Sequence, residues 1–128
     1  MSSITAIATG PDSWDFYSSE RDVFLASGEL NEFDSNKGVC SFQWQLSEFD
    51  GEEVEYSEIA TFVASDVIFG RKLHQVKTAV YLHDAGGRAA FESAGFLVGR
   101  EFGAGGKRAV QFKFFTAPGG SASNGTAG

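Results

Sequence analysis

The sequence is poor in the residue types that build metal and redox sites. Its 128 residues include one cysteine and two histidines. Cys40 has no partner for an internal disulfide, and with His74 and His83 it makes no metal-ligand spacing. We therefore expect Cys40 to be a small buried apolar residue, and we predict neither a metal site nor a cofactor.

Long apolar segments are also missing. No run of roughly 18 apolar residues occurs, and the N-terminus lacks a basic region followed by an apolar stretch. These absences predict a soluble cytoplasmic protein. The length fits one domain, and 13 phenylalanines give its core an aromatic bias.

Catalytic motifs are incomplete. His83 and Asp84 are adjacent, so they cannot easily face each other as a base and its orienter. The glycine loop before Lys107 has Glu101 and Arg108 where a phosphate-binding loop needs glycine and a hydroxyl residue. We therefore predict a protein that is not an enzyme. The acidic cluster of Glu52, Glu53 and Glu55 is expected to serve solubility beside a turn.

Charge is unevenly divided along the chain. Residues 1–66 hold 14 acidic and 2 basic side chains, whereas residues 67–128 hold 3 acidic and 8 basic ones, and together they give the net charge of −7. Such asymmetry is typical of a nucleic-acid surface or of a protein with an acidic partner. Two halves that interleave in the fold and neutralise each other would show the same pattern.

The clearest structural pattern lies between Gly38 and Ala64. Residues 39–46 alternate, with Cys40, Phe42, Trp44 and Leu46 on one face, as in a half-buried strand. Asp50 and Gly51 suit a tight hairpin turn, and residues 54–64 alternate again. The pattern predicts a long antiparallel hairpin.

Weaker patterns complete the prediction. Strands are expected at 22–30, 96–98 and 109–115, and helices at about 70–82 and 88–94. We divide the chain into an N-terminal arm at 1–21, a β-barrel domain at 22–118 and a disordered tail at 119–128, because the tail contains only small and polar residues.

This order of elements resembles the bacterial-type single-stranded-DNA-binding proteins. Three segments are similar to that family: the first strand at 23–30, the hairpin, and the helix entry Phe69-Gly70-Arg71-Lys72-Leu73. A basic glycine loop, a strand and a low-complexity tail follow in the same order. The resemblance implies a five-stranded OB-like antiparallel barrel, mainly β, with a helix after the third strand. It also implies a role in DNA replication and a homo-oligomer.

Single-strand binding needs aromatic rings for base stacking and cations along the backbone path. The candidate binding residues on this hypothesis are Trp44, Tyr56, Phe62, Arg71, Lys72, Lys77, Arg100, Lys107, Arg108 and Lys113. The expected partner is single-stranded DNA or RNA, with no membrane. An alternative is an assembly or inhibitor protein, in which the acidic half docks on a second subunit or imitates nucleic acid.

Overall fold

Neighbouring strands in the sheet are mostly consecutive in the chain. The computed structural model describes residues 2–48 and 51–115, and within them seven strands form one sheet in the order β1-β2-β3-β4-β5-β7-β6. In chain order the elements are β1 (Ile4–Gly10), β2 (Ser13–Ser18), β3 (Phe24–Asp34), β4 (Val39–Leu46), α1 (Glu53–Ser65) with a π-helical turn at Asp66–Gly70, β5 (Gln75–Tyr81), α2 (Ala85–Ser93), β6 (Leu97–Ala104) and β7 (Lys107–Phe115).

The first four strands form an antiparallel meander with short connections. Pro11 and Asp12 lie in the turn between β1 and β2, where proline fixes the backbone and its missing N–H is not needed. Gly38 closes the turn before β4 at a φ of +70°, in the left-handed region that favours glycine. The N-terminal half of the chain therefore becomes one half of the sheet.

The two halves of the sheet meet at a parallel pair. After β4 the chain crosses over through α1 and returns as β5, which runs parallel to β4, as a βαβ unit requires. The paired positions are Val39 with Gln75, Cys40 with Val76, and Ser41 with Lys77. Beyond Ser41, β4 continues to Leu46 without a partner on β5, so the two strands separate.

Both helices pack on one face of the sheet and form the core there. Phe62 of α1 packs edge-on against Trp14 and Phe16 of β2, with ring centroids 5.4 and 5.8 Å apart. Phe91 of α2 contacts Trp44 of β4, with centroids 5.0 Å apart. Burial of each such large apolar side chain stabilises the fold by about 1.5–3 kcal/mol.

The other face of the sheet is polar. Successive strand residues point to opposite faces, and the cross-strand register places one set of side chains away from both described helices. This set consists largely of Asp15, Ser27, Glu29, Asn31, Ser41, Gln43, Gln45, Lys77, Gln111 and Lys113. We call this surface the open face.

Several predicted elements are correct and others are wrong. β4 has the predicted bounds, β7 contains the predicted strand 109–115, and α2 overlaps the predicted helix 88–94. Residues 54–64 are helical in α1, so the predicted hairpin is wrong. Residues 75–81 form a strand, so the predicted helix at 70–82 is wrong there. This strand lies between β4 and β7, and buried and more exposed residues alternate along it.

The predicted five-stranded OB-like barrel is wrong. The sheet is open, with β1 and β6 as its edges. It is also mixed, because the β4–α1–β5 crossover gives a parallel pair in its middle. Residues 4–18, expected in an arm, form β1 and β2 of the sheet, and whether residues 1–21 are separable stays a prediction. The predicted tail at 119–128 lies outside the described residues. None of the helices in the described ranges is long and apolar enough to span a bilayer.

Candidate active site

A cleft opens on the sheet where β4 and β5 separate. Its volume is about 520 Å³, and its lining includes Ser41, Trp44, Lys77, Thr78 and Tyr81. In open α/β sheets, ligands bind in crevices beyond the carboxyl ends of the strands. The cleft occupies that position, and we treat it as the candidate active site.

Glu32 supplies a carboxylate to this cleft from β3. The β3–β4 register shifts between Asn31 and Asp34, and Glu32 adopts a φ of +53° in this irregular stretch. A non-glycine residue in the left-handed region costs of order 1–3 kcal/mol and is enriched at functional sites. The Ser41 hydroxyl donates a hydrogen bond to Glu32 Oε1 at 2.9 Å, which holds the carboxylate beside the last paired position of β4 and β5.

The opposite wall of the cleft ends in an aromatic and basic group. Tyr81, the last residue of β5, stacks on His83 with ring centroids 5.6 Å apart and an angle of 16° between the planes. Lys107 Nζ lies 5.2 Å from the centroid of the Tyr81 ring, within the range of a cation–π contact. A second cavity of about 420 Å³ lies here and is lined by Leu82, His83, Lys107 and Arg108.

The boundary between the acidic and the basic half of the sequence lies at the cleft. Residues 1–66 form β1 to β4 and α1, and the later residues form β5 to β7 and α2. The acidic and basic halves therefore lie side by side in the sheet and meet between β4 and β5. Of the two interpretations of the asymmetry, interleaving of the halves is not observed.

The N-terminus of α1 is where a phosphate group would be expected. It follows β4 directly, and free N–H groups at such a position bind anions. In this chain Glu52 and Glu55 form a capping box, with the Glu52 N–H donating to Glu55 Oε1 at 2.9 Å. The Gly51 N–H donates to the Tyr56 hydroxyl at 2.7 Å.

The electrostatics of this terminus oppose a phosphate. Burial raises the pKa of Glu55, but hydrogen bonds from the Glu52 N–H, Ser18 and Arg21 outweigh it and lower the pKa below its ordinary value, which keeps the carboxylate charged. Exposed Glu52 and Glu53 add two carboxylates. The residues at this terminus therefore do not fit an anionic ligand.

The aromatic residues predicted from sequence are partly buried and pack against the core. Trp44 and Tyr56 pack against each other with ring centroids 5.6 Å apart, and Phe62 packs on β2. Only Trp44 also lines the cleft. Their exposed faces do not form a stacking platform, because the helices cover that side of the sheet.

The predicted cations are scattered. Arg71 forms ion pairs with Asp66 and Asp12, and its guanidinium also lies over the Trp14 ring, so it ties the end of α1 to the β1–β2 turn. Burial lowers the pKa of Arg71, but these two carboxylates outweigh it and raise the pKa. The remaining predicted cations lie on exposed or half-buried strand and turn positions: Lys72, Lys77, Arg100, Lys107, Arg108 and Lys113.

Only part of the predicted basic set lies at the cleft. Lys77 lines it, Lys113 lies opposite Lys77 on β7, and Lys107 reaches Tyr81. Arg108 forms an exposed ion pair with Glu101 at 3.2 Å. The sequence does not single out Glu32, because residues 31–38 are mostly polar and turn-forming and nothing in them indicates a bulged strand.

The sequence matches no protein-family model and no curated protein. The structure is similar to the spermidine/spermine N-acetyltransferase SpeG from Vibrio cholerae, with a TM-score of 0.65 and 12% identity, over 80% of this chain and 64% of that chain. It is also similar to an acetyltransferase of the GNAT family from Bacillus anthracis, with a TM-score of 0.68 and 10% identity, over 84% of this chain and 68% of that chain. The chain thus spans only about two thirds of the length of these structures.

The similarity corrects the hypothesis drawn from sequence. At this identity it establishes the fold, which is that of GNAT acetyltransferases and not of single-stranded-DNA-binding proteins. The predictions of nucleic-acid binding, of a non-enzymatic assembly or inhibitor protein, and of a single-stranded nucleic-acid partner are therefore wrong.

Proposed function

We propose that this protein is an acyltransferase that moves an acyl group from a thioester to an amine in the cleft between β4 and β5. One observation carries the proposal: pairing of the two parallel strands stops after Ser41 and Lys77 and leaves a cleft of about 520 Å³. The similarity in fold to acetyltransferases supports the same chemistry.

The separated strand offers a way to hold the donor. Backbone groups of β4 beyond Ser41 that face the cleft have no ladder partner on β5 among the described residues. An extended thioester arm with amide groups would pair with them, as an added strand pairs with a sheet edge. A backbone N–H at this place would also stabilise negative charge on the thioester oxygen as it develops.

Glu32 is the group best placed to accept a proton. The amine nitrogen attacks the carbonyl carbon of the thioester, the new carbon–nitrogen bond forms, and the amine proton passes to the Glu32 carboxylate. The carbon–sulfur bond then breaks, and the leaving thiolate takes the proton from Glu32, which restores the carboxylate. The hydrogen bond from Ser41 orients Glu32 for both transfers.

Acetyl transfer with a simple donor tests the proposal. Purified protein is incubated with S-acetylpantetheine or acetyl-CoA and with an amine such as spermidine, and the released thiol is measured. Wild type should release thiol only when the amine is present. Glu32→Gln should lower the turnover rate by about 10²–10⁴-fold, as expected when general-base catalysis is removed.

A matched control removes the same charge elsewhere. Glu20 is an exposed carboxylate in the turn before β3, and Glu20→Gln should leave the turnover rate unchanged. Equal rates for wild type and Glu32→Gln would remove Glu32 from the mechanism, and no amine-dependent thiol release with any donor would contradict the acyltransferase proposal. A cytoplasmic location stays part of this proposal, and cell fractionation tests it.

A further inference from the structure

Three lysines lie on the β5–β7 side of the cleft. Lys77 lies in the cleft lining, Lys113 lies directly opposite it on β7, and Lys107 lies over Tyr81 at the far end. We call these three residues the basic wall. None of them belongs to an ion pair within residues 2–48 and 51–115.

Two members of the basic wall, Lys77 and Lys113, repel each other. Like charges directly opposite each other in a sheet destabilise it, and Lys77 and Lys113 are such a pair. Both side chains are only half exposed, so solvent screens their repulsion incompletely. An anion bound on the open face beside the cleft would remove this repulsion.

The other candidate anion-binding position of the fold is unfavourable for an anion. At the N-terminus of α1, the N–H groups of Glu52 and Glu55 are bonded within the capping box, and Glu52, Glu53 and Glu55 bring three carboxylates to the first turn. An anionic donor that enters the cleft therefore meets repulsion on the α1 side and attraction on the β5–β7 side. This difference in charge favours one orientation of the donor, with its negative end towards β5 and β7.

We propose that the anionic end of the thioester donor binds on the basic wall, at Lys77, Lys107 and Lys113, and not at the N-terminus of α1. The inference rests on the proposed acyltransferase function for the identity of the ligand as a donor. It assigns the donor to the class of thioesters with a neutral arm and a negatively charged end. The neutral arm lies between β4 and β5, and the negative end leaves the cleft over β5 and β7.

Binding of two related probes separates the two positions. CoA carries the arm and the phosphates, whereas pantetheine carries the arm alone, and isothermal titration calorimetry measures the dissociation constant of each. Wild type should bind CoA more tightly than pantetheine, and added salt should weaken only CoA binding. Lys107→Gln with Lys113→Gln should weaken CoA binding by about tenfold, which corresponds to about 1.4 kcal/mol, and leave pantetheine binding unchanged.

Two further variants make the comparison decisive. Lys37→Gln removes an exposed lysine from the turn before β4, at the opposite end of that strand from the cleft, and should have no effect on either probe. Glu52→Gln with Glu53→Gln should change CoA affinity by less than about threefold, since exposed charges away from the site contribute little. A tenfold or larger gain from this acidic pair, with no loss from the lysine pair, would place the anion at α1 and overturn the inference.

The inference and the acyltransferase proposal can fail separately. If acetyl transfer occurs but the lysine pair changes neither CoA affinity nor the Michaelis constant for acetyl-CoA, the basic wall has no role and the acyltransferase proposal stands. If CoA binding depends on the lysine pair but no acetyl transfer occurs with either donor, the site is correct and the enzymatic proposal is wrong. Equal affinity of wild type for CoA and pantetheine would also overturn the inference.

Discussion

Gly28 lies in the middle of β3, where two aromatic rings cross the backbone. A Cβ atom at this position would lie 2.6 and 2.7 Å from Cε1 and Cζ of Phe42 and 3.1 Å from Cε2 of Phe16. Favourable carbon–carbon contacts are about 3.5–4.0 Å, so the Phe42 ring would have to move by roughly 1 Å. Both rings are fully or almost fully buried, and the core around them is close-packed.

Gly28→Ala is therefore expected to destabilise the protein. Overpacking of this kind costs about 1–3 kcal/mol, and the lower entropy of the unfolded alanine chain returns about 0.4–1 kcal/mol. The expected net loss in the free energy of unfolding is about 1–2 kcal/mol. Urea unfolding followed by far-UV circular dichroism measures it without relying on the neighbouring tryptophans.

Gly103→Ala is the matched control for this substitution. Gly103 also lies in a strand, but a Cβ there meets nothing within 4 Å. This variant should be as stable as wild type or up to about 1 kcal/mol more stable, because only the lower entropy of the unfolded alanine chain acts there. The packing argument is refuted if Gly28→Ala is as stable as Gly103→Ala.

Three other expectations concern buried groups. Hydrogen bonds and Arg21 lower the pKa of Glu55, so this carboxylate stabilises the fold above its unfolded pKa of about 4.3, and the stability is lost as the pH falls through the folded pKa. The difference in unfolding free energy between wild type and Glu55→Gln should therefore be largest near pH 7 and shrink in acid. A difference that does not depend on pH would contradict this. Burial raises the pKa of the Cys40 thiol to about 11, so a maleimide at pH 7 should label it only after unfolding, as mass spectrometry would show; rapid labelling of native protein would mean that β4 opens. Phe91→Ala should cost about 3–5 kcal/mol in urea unfolding, because Phe91 is fully buried, and a loss below 1 kcal/mol would mean that α2 repacks.

The strands that alternate on both sides could be predicted from the sequence. In β4 the apolar residues Cys40, Phe42 and Trp44 alternate with the polar residues Ser41 and Gln43, because one face of the strand packs under the helices and the other face is polar. The same holds for β7. The alternation of apolar and polar residues is sufficient to predict a strand that has one face in the core and one polar face.

The helix α1 could not be recognised from alternation alone. Its buried residues are Glu55, Ile59, Ala60, Val63 and Ala64, a helical spacing that coexists with an apparent period of two in the same residues. Glu52 and Glu55 have the spacing of a capping box, but this motif ordinarily begins with serine or threonine, so the glutamate pair is a weak sequence signal for a helix start.

The site depends on pairing that the sequence does not encode locally. Whether β5 lies parallel to β4 is decided by the crossover through α1, and a wrong assignment of α1 removes the crossover and the cleft with it. Glu32 reaches the cleft only because the strand register shifts beside it. The basic residues could be listed from sequence, but their grouping at one wall follows from the sheet order.

The early end of pairing between β4 and β5 also shapes how the molecule moves. A strand in the middle of a sheet ordinarily protects all of its amides from solvent, whereas the amides of β4 beyond Ser41 that point towards β5 have no strand to receive them. Hydrogen exchange should then be uneven within a single central strand, slow at amides bonded to β3 and fast at their neighbours. Among the described residues, backbone pairing joins the two halves of the sheet at three positions, and the packing of Phe91 on Trp44 adds a side-chain contact between them.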